Sequence, residues 1–175
     1  RQMCIRDSFD NEEVGSATNQ GAGATFLKNT LTRISRSLGY SYDETQAMIA
    51  RSFMISADNG HALHPNHGEY ADPVNAPRLN EGIVIKFNAQ QKYATDGFSA
   101  AFFRDLCRHA KVPTQTFTNR SDIPGGSTLG NISNTKVSMP TVDIGLPQLA
   151  MHSSYETAGT KDTAYLVMAC TAFFE

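Results

Sequence analysis

A chain of 175 residues is long enough for one domain with a sizeable core, and two domains are not expected. Lys and Arg number 15 against 17 Asp and Glu, and this net charge of -2 argues against nucleic acid or an anionic membrane as a partner. No apolar run reaches the roughly 20 residues of a membrane span, and the first residues lack the apolar core of a signal peptide, which predicts a cytoplasmic protein.

The first eight residues are predicted to be a non-native leader. Residues 3–8 read as the translation of ATG-TGT-ATA-AGA-GAC-AGC, which looks like a transposase end sequence used in preparing sequencing libraries. The alternative is a genuine strand that leads into Phe9. We therefore divide the chain into the leader, 1–8, and a functional segment, 9–175.

Predicted helices and strands alternate through the first part of this segment. Residues 9–19 show no helical period and are predicted to end a strand before a turn at 20–24. Residues 24–38 form an amphipathic helix, and a capping box of Ser41 and Glu44 opens a second helix that ends near Arg51. A short buried strand over 53–57 precedes a long loop, 59–80, and loops of this length are usually functional or mobile.

The alternation continues to the end of the chain. Strands are predicted over 82–88, 114–117 and 140–144 and helices over 98–110 and 163–174, while residues 121–134 are Gly- and Ser-rich. In the helix over 98–110 we expect one face to be apolar, with Ala101, Phe102, Leu106 and Ala110. This order predicts an α/β fold, a layered sheet with flanking helices.

Four side chains that suit metal chemistry lie near predicted strand ends. They are Glu12 and Glu13 in FDNEEVGS, Asp58 in SADNGHALHPNH and His152 in PQLAMHSSYE. Because open α/β sheets bind ligands at the carboxyl ends of strands, these groups could converge. Carboxylates and imidazole suit zinc, manganese or cobalt, although dispersed ligands leave no short diagnostic pattern. Adjacent glutamates can both face a metal only across a bend or irregular turn, and Gly15 is compatible with one.

Five segments in the same order resemble the aspartyl (M18) aminopeptidases: FDNEEVGS, SADNGHALHPNH, VIKFNAQQKYATDG, GGSTLGNISN and DIGLPQLAMHSSYETAGTKD. The resemblance implies part of a zinc-aminopeptidase-like catalytic domain that uses two divalent metal ions to hydrolyse N-terminal Asp or Glu from peptides. It implies that Glu12 is the catalytic base and that Glu13, Asp58 and His152 are metal ligands. The family also uses a His and a bridging Asp upstream of the glutamate pair, and no residue here can be matched to either. Full-length members form homo-oligomers.

Three further residues are candidates for substrate binding. His61 and His64 would share a face if their segment were helical, and the resemblance places the HAxHPN motif at the active site. The alternative for each is an ordinary surface histidine, which is the interpretation we adopt for His67. Lys86 lies in an apolar strand, where an unpaired ammonium is costly, so it either reaches solvent or has an anionic partner. The resemblance places it in the pocket for an acidic substrate side chain.

Two other functions remain open at the level of sequence. One is an aminopeptidase that accepts neutral residues, because motif identity does not fix pocket specificity. The other is a noncatalytic fragment or assembly subunit, which the unmatched His and Asp ligands favour. The stretch 125–128, Gly-Gly-Ser-Thr, is equally compatible with an anion cradle and with a plain turn.

Overall fold

The computed structural model describes residues 3–175, so the first two residues of the predicted leader lie outside it. Within that range the helices are α1 (Phe26–Ser37), α2 (Tyr42–Ala50), α3 (Gly97–His109), α4 (Leu129–Asn134) and α5 (Thr160–Phe174). The strands are β1 (Met54–Ala57), β2 (Gly60–His61), β3 (Ile83–Phe87), β4 (Thr114–Thr118), β5 (Thr141–Gly145), β6 (Pro147–Leu149) and β7 (Thr157–Ala158). None of the described helices is long and apolar enough to cross a membrane.

The predicted α/β fold is confirmed, and its main sheet is mixed. The strand order is β1-β5-β3-β4, with β5 parallel to β1 but antiparallel to β3, and β3 parallel to β4. A smaller sheet has the order β2-β6-β7. Because β1 and β5 run in the same direction, the segments that follow them leave the main sheet at one edge.

Both faces of the main sheet are covered, as the burial of successive residues in β3 and β5 requires. One face carries Ile83, Ile85, Val142 and Ile144, which form a core with side chains of α3 and α5. Side chains alternate between the faces of a strand, so Val84 belongs to the opposite face. There it packs in a second, smaller cluster with Tyr93 and Phe117. This second face supports the cavity described below.

The structure confirms most predicted elements and corrects two of them. The strand predicted to end within 9–19 is wrong, because Glu12–Val14 form a 3-10 turn. The loop predicted over 59–80 contains β2 and a second 3-10 turn at Gly68–Tyr70, and the Gly- and Ser-rich stretch 121–134, where no element was predicted, contains α4. These elements span two to six residues, which is too short for a periodic pattern to be recognised.

The predicted apolar face of α3 is correct for Leu106 and Ala110, which pack against the core, and wrong for Ala101 and Phe102, which are exposed. The buried residues of this helix are Ser99, Ala100, Phe103 and Cys107, whereas Phe102 is 40% exposed. The sequence has apolar residues on both sides of the helix, so spacing alone left two possible faces. Packing against α5 and the sheet selects the face that contains Phe103.

We expect Asp96→Ala to lower the free energy of unfolding by about 1 kcal/mol, because Asp96 is the N-cap of α3. Its carboxylate accepts a hydrogen bond from the Ser99 N–H at 2.7 Å, and the Asp96 N–H donates to Ser99 Oγ at 3.0 Å. Urea denaturation measures the change. Asp96→Asn, which retains a capping oxygen, is the matched control, and an equal loss for both variants would contradict the capping role.

Candidate active site

A cavity of about 720 Å³ lies over the second face of the main sheet. Its walls come from the glutamate turn, the segments after β1 and β6, strand β3, and the stretches near residues 93 and 117–128. All seven candidate site residues line it: Glu12, Glu13, Asp58, His61, His64, Lys86 and His152. The sheet explains this only in part, because Asp58 follows a strand end while Lys86 lies within a strand.

The turn that contains Glu12 and Glu13 is shaped by two left-handed residues. Asn11 has φ 61° and Gly15 has φ 97°, and the Gly15 N–H donates to the Glu12 carbonyl oxygen at 2.9 Å. Glycine adopts such a φ without steric cost, and asparagine tolerates it better than most residues. The irregular turn expected from the adjacent glutamates is therefore present, and both side chains line the cavity.

Glu13 and His152 are in direct contact across the cavity. Glu13 Oε2 lies 2.5 Å from His152 Nε2, although the two residues are far apart in sequence. His152 is in the turn after β6 with φ 67°, and its backbone N–H donates to Glu156 Oε1 at 2.7 Å. The turn thus holds the imidazole beside the carboxylate, and both side chains remain about two-thirds exposed.

Lys86 and Asp58 form a second ion pair inside the cavity. Lys86 Nζ lies 3.1 Å from Asp58 Oδ2 and donates to the Asn59 carbonyl oxygen at 2.8 Å. The side chain of Lys86 is 3% exposed, so it does not extend into bulk solvent. The Tyr93 ring centroid lies 5.5 Å from Nζ, within the range of a cation–π contact. The ammonium therefore has an anionic partner in the protein, which the sequence did not identify.

The environment of the cavity shifts the pKa values of Glu12 and His61. Partial burial, followed by the neighbouring carboxylates of Asp58 and Glu13, raises the pKa of Glu12 above its ordinary value, while Lys86 and His152 oppose the shift. Partial burial lowers the pKa of His61, and the nearby His152 and Lys86 lower it further. In both cases the largest cause is partial burial, which disfavours the charged form, and neighbouring charges modify the shift.

The loop after β2 forms a rim of aromatic and imidazole rings. The ring centroids of His64 and His67 are 5.0 Å apart, and those of His67 and Tyr70 are 5.9 Å apart. His67 is exposed as expected, but it also lines the cavity and contacts Glu69. His61 lies in β2, so the helical spacing considered for His61 and His64 does not occur.

The carboxylates and imidazole that line the cavity fit the oxygen and nitrogen donors that zinc prefers. Only Glu13 and His152 are in direct contact, and Asp58 is paired with Lys86 instead. Within residues 3–175, no group of three or more His, Cys, Asp or Glu side chains is arranged to hold a metal ion. The described part of the chain therefore places carboxylate and imidazole donors in one cavity without bringing three of them together.

Several wall residues were not identified from sequence. Tyr93 and Asn119 line the cavity, and the Tyr93 hydroxyl lies 3.4 Å from Asn119 Oδ1. Arg120 also lines it and donates hydrogen bonds to the Glu69 carbonyl oxygen and to Asp122. In the sequence, Tyr93 stands in KYATDG and Arg120 follows Asn119. Neither residue belongs to a spacing pattern that predicts a pocket.

The sequence profile described as "Aminopeptidase I zinc metalloprotease (M18)" matches residues 1–174. The chain belongs to the M18 aminopeptidase family. It is 50% identical over 166 residues to the probable M18 family aminopeptidase 2 of Clostridium acetobutylicum. The alignment covers 95% of this M18 chain and 38% of that relative, so the chain spans well under half of the relative's length.

Solved structures have the same fold. A cryo-EM structure of the Ape4 and Nbr1 complex contains a chain that is 42% identical, with a TM-score of 0.92. The match covers 95% of this M18 chain and 32% of that chain. The mApe1 dodecamer of S. cerevisiae is 30% identical, with a TM-score of 0.82, and the match covers 95% and 36% of the two chains. The M18 chain described here therefore corresponds to about a third of each of these larger chains.

Proposed function

We propose that residues 9–175 form the C-terminal part of the catalytic domain of an aminopeptidase that removes N-terminal residues, preferably Asp and Glu, from peptides. The observation that carries the proposal is the contact between Glu13 and His152 in the same cavity as Glu12 and Lys86. A carboxylate–imidazole pair provides metal donors, a second carboxylate provides a base, and a buried ammonium provides an anion site. The M18 family match supports the same reaction.

In this proposal the two adjacent glutamates have different roles. Glu13, Asp58 and His152 would hold divalent metal ions, of which zinc fits best and manganese or cobalt are alternatives. Two such ions would activate a water and polarise the scissile carbonyl. Glu12 accepts the proton of the attacking water on its carboxylate and transfers it to the leaving amine. Further ligands are contributed from outside residues 3–175.

The remaining cavity residues bind and orient the peptide. The Lys86 ammonium has three N–H donors, and two of them are directed at Asp58 and Asn59. The third is available for the side-chain carboxylate of an N-terminal Asp or Glu. His64 and His61 line the same cavity and would contact the substrate or the metal ligands.

Two other candidate functions remain. An aminopeptidase with broad specificity for neutral residues is favoured by the ion pair of Lys86 with Asp58, because an ammonium that already has an anionic partner gains less from a substrate carboxylate. A noncatalytic fragment or assembly subunit is favoured by the incomplete metal site of residues 3–175. We further propose that the protein is cytoplasmic and, by analogy with the dodecamer of its structural relative, that it forms a homo-oligomer.

We predict that the isolated 175-residue chain has little or no aminopeptidase activity, because metal sites depend on their full set of ligands. The isolated chain is compared with a version of it that is extended to the length of its relatives. This extended version is called the full-length protein below. Metal analysis and a peptide panel with N-terminal Asp, Glu, Ala and Leu are measured for both. Tight binding of two metals and equal turnover in the isolated chain would contradict the prediction. A full-length protein with bound metal but no turnover would favour the noncatalytic alternative.

A further inference from the structure

Asp143 is a buried carboxylate in the centre of β5 that has no part in the reaction proposed above. It is 1% exposed, and its neighbours Val142 and Ile144 face the core shared with α3 and α5. Because side chains alternate along a strand, Asp143 faces the opposite side, where the cavity lies. Among the described residues, no lysine, arginine or histidine forms a salt bridge with it. A buried carboxylate without a cation requires another explanation.

The carboxylate instead accepts hydrogen bonds from two separate segments. Asp143 Oδ2 accepts from the Ala94 N–H at 2.5 Å, and Oδ1 accepts from Thr128 Oγ1 at 2.8 Å. The backbone N–H of Asp143 also donates to Thr95 Oγ1 at 2.8 Å. Asp143 therefore joins the residues after Tyr93 to Thr128, the N-cap residue of α4.

Both of these segments are walls of the cavity. Tyr93 and residues 125–128 line it, and Lys92 Nζ donates to the Gly125 carbonyl oxygen at 2.7 Å as a second link between them. A Cβ atom at Gly130 would lie 2.4 Å from Asp143 Oδ1, so glycine allows α4 to pack directly against the carboxylate. Both wall segments therefore contact the buried carboxylate of Asp143.

Tyr93 connects the hydrogen bonds of Asp143 to the Lys86 ammonium. It immediately precedes Ala94, and its ring lies over Lys86 Nζ and packs 6.3 Å from Phe117, centroid to centroid. The Ala94 N–H bond to Asp143 fixes the backbone at the position that determines where the Tyr93 ring lies. A displacement of this backbone would change the width of the cavity and the environment of Lys86.

We propose that Asp143 is a positioning residue that holds the two cavity walls, 92–95 and 125–128, together through the Ala94 amide and the Thr128 hydroxyl, and so fixes Tyr93 over Lys86. The consequence for catalysis rests on the proposed aminopeptidase function. The consequence for local structure does not, and the two are tested separately.

Hydrogen exchange on the full-length protein tests the local consequence. Asp143→Ala is expected to speed exchange of the Ala94 amide by about tenfold or more, because its acceptor is removed. Asp162→Ala is the matched control, since Asp162 is equally buried but accepts from the N–H groups of Asn80 and Gly82, away from the cavity. It should speed exchange at Asn80 and Gly82 instead. Unchanged protection of Ala94 in Asp143→Ala, or the same exchange pattern in both variants, would overturn the proposal.

Three milder variants keep the test decisive if Asp143→Ala does not fold. In Asp143→Asn the side-chain oxygen can still accept from Ala94, and the amide NH₂ can donate to a reoriented Thr128 hydroxyl. This variant should keep the Ala94 amide protected to within about threefold of wild type. Thr128→Val removes one link and should speed exchange only in 125–130, whereas Thr128→Ser should not. Loss of Ala94 protection in Asp143→Asn would mean that the charge is required for another purpose, and the proposal would fail.

Steady-state kinetics test the functional consequence. Asp143→Ala should raise KM for peptides with N-terminal Asp by about tenfold, with a smaller fall in kcat and unchanged metal content, and Asp143→Asn should restore KM. A fall in kcat by the same factor as the rise in KM would contradict a positioning role. Failure of Asp143→Asn to restore KM would also contradict it. If the wild-type protein hydrolyses no peptide, the aminopeptidase proposal fails, while the exchange measurements still decide whether Asp143 holds the walls.

Discussion

Glu12→Gln in the full-length protein is expected to lower kcat by about 10²- to 10⁴-fold while its bound metal is retained, the range typical for removal of a proton-transfer group. Glutamine has nearly the shape of glutamate but cannot accept the proton of the attacking water. Glu12 lies in the 3-10 turn that directs both glutamates into the cavity, and His152 contacts Glu13 rather than Glu12. This geometry leaves the Glu12 carboxylate available as a base.

Metal content separates this role from that of the neighbouring glutamate. Glu13→Ala and His152→Ala should each lower the bound metal as well as the activity, because each removes a donor from the pair in direct contact. Elemental analysis of purified variants, together with kcat on one peptide, makes the comparison. Loss of metal in Glu12→Gln with retention in Glu13→Ala would reverse the assignment of the two glutamates.

Lys86→Met is expected to lower kcat/KM for peptides with N-terminal Asp or Glu by about one to two orders of magnitude, with little change for Ala or Leu peptides. A hydrogen bond to a charged group contributes roughly 1.5 to 3 kcal/mol, and each 1.4 kcal/mol corresponds to a factor of ten. Methionine fills similar volume without the charge. The side chain of Lys86 is almost fully buried beside Asp58, so the lost charge cannot be replaced by solvent ions as readily as at the surface.

The ion pair makes metal content an essential control in this experiment. Lys86→Met leaves Asp58 without its cation, and a change in metal binding would alter every substrate alike. Lys136→Met serves as the matched lysine control, because Lys136 is exposed and does not line the cavity. If acidic and neutral peptides lose the same factor at equal metal content, Lys86 is structural and broad specificity becomes the better proposal.

Local sequence patterns were sufficient for most of the fold. The capping box of Ser41 and Glu44 begins α2 as predicted, with Glu44 Oε2 accepting from the Ser41 N–H at 2.8 Å. The apolar run that contains Lys86 forms β3, and the residue after the run at 53–57 is Asp58, beside the cavity. In each case the pattern lies within a few residues, and the local backbone preference agrees with the tertiary structure.

Other features depend on contacts that local patterns do not encode. Strand direction is one of them, so the antiparallel pairing of β3 with β5 could not be predicted from periodicity. The glutamate turn depends on left-handed Asn11 and Gly15. Asp143 was also missed, although an acidic residue in the apolar run Thr141–Gly145 was an available indication. Its partners Ala94 and Thr128 are distant in sequence, so its role emerges only from the folded chain.

The strand order β1-β5-β3-β4 has a practical consequence for handling this chain. Strands β1 and β4 each have a neighbour on only one side within the described residues, so each presents a row of unpaired backbone groups. Strand β4, Thr-Gln-Thr-Phe-Thr, is uncharged and rich in residues that favour extended structure. Such an edge can pair with the same edge of another molecule. Aggregation at high protein concentration is therefore expected to proceed through β4.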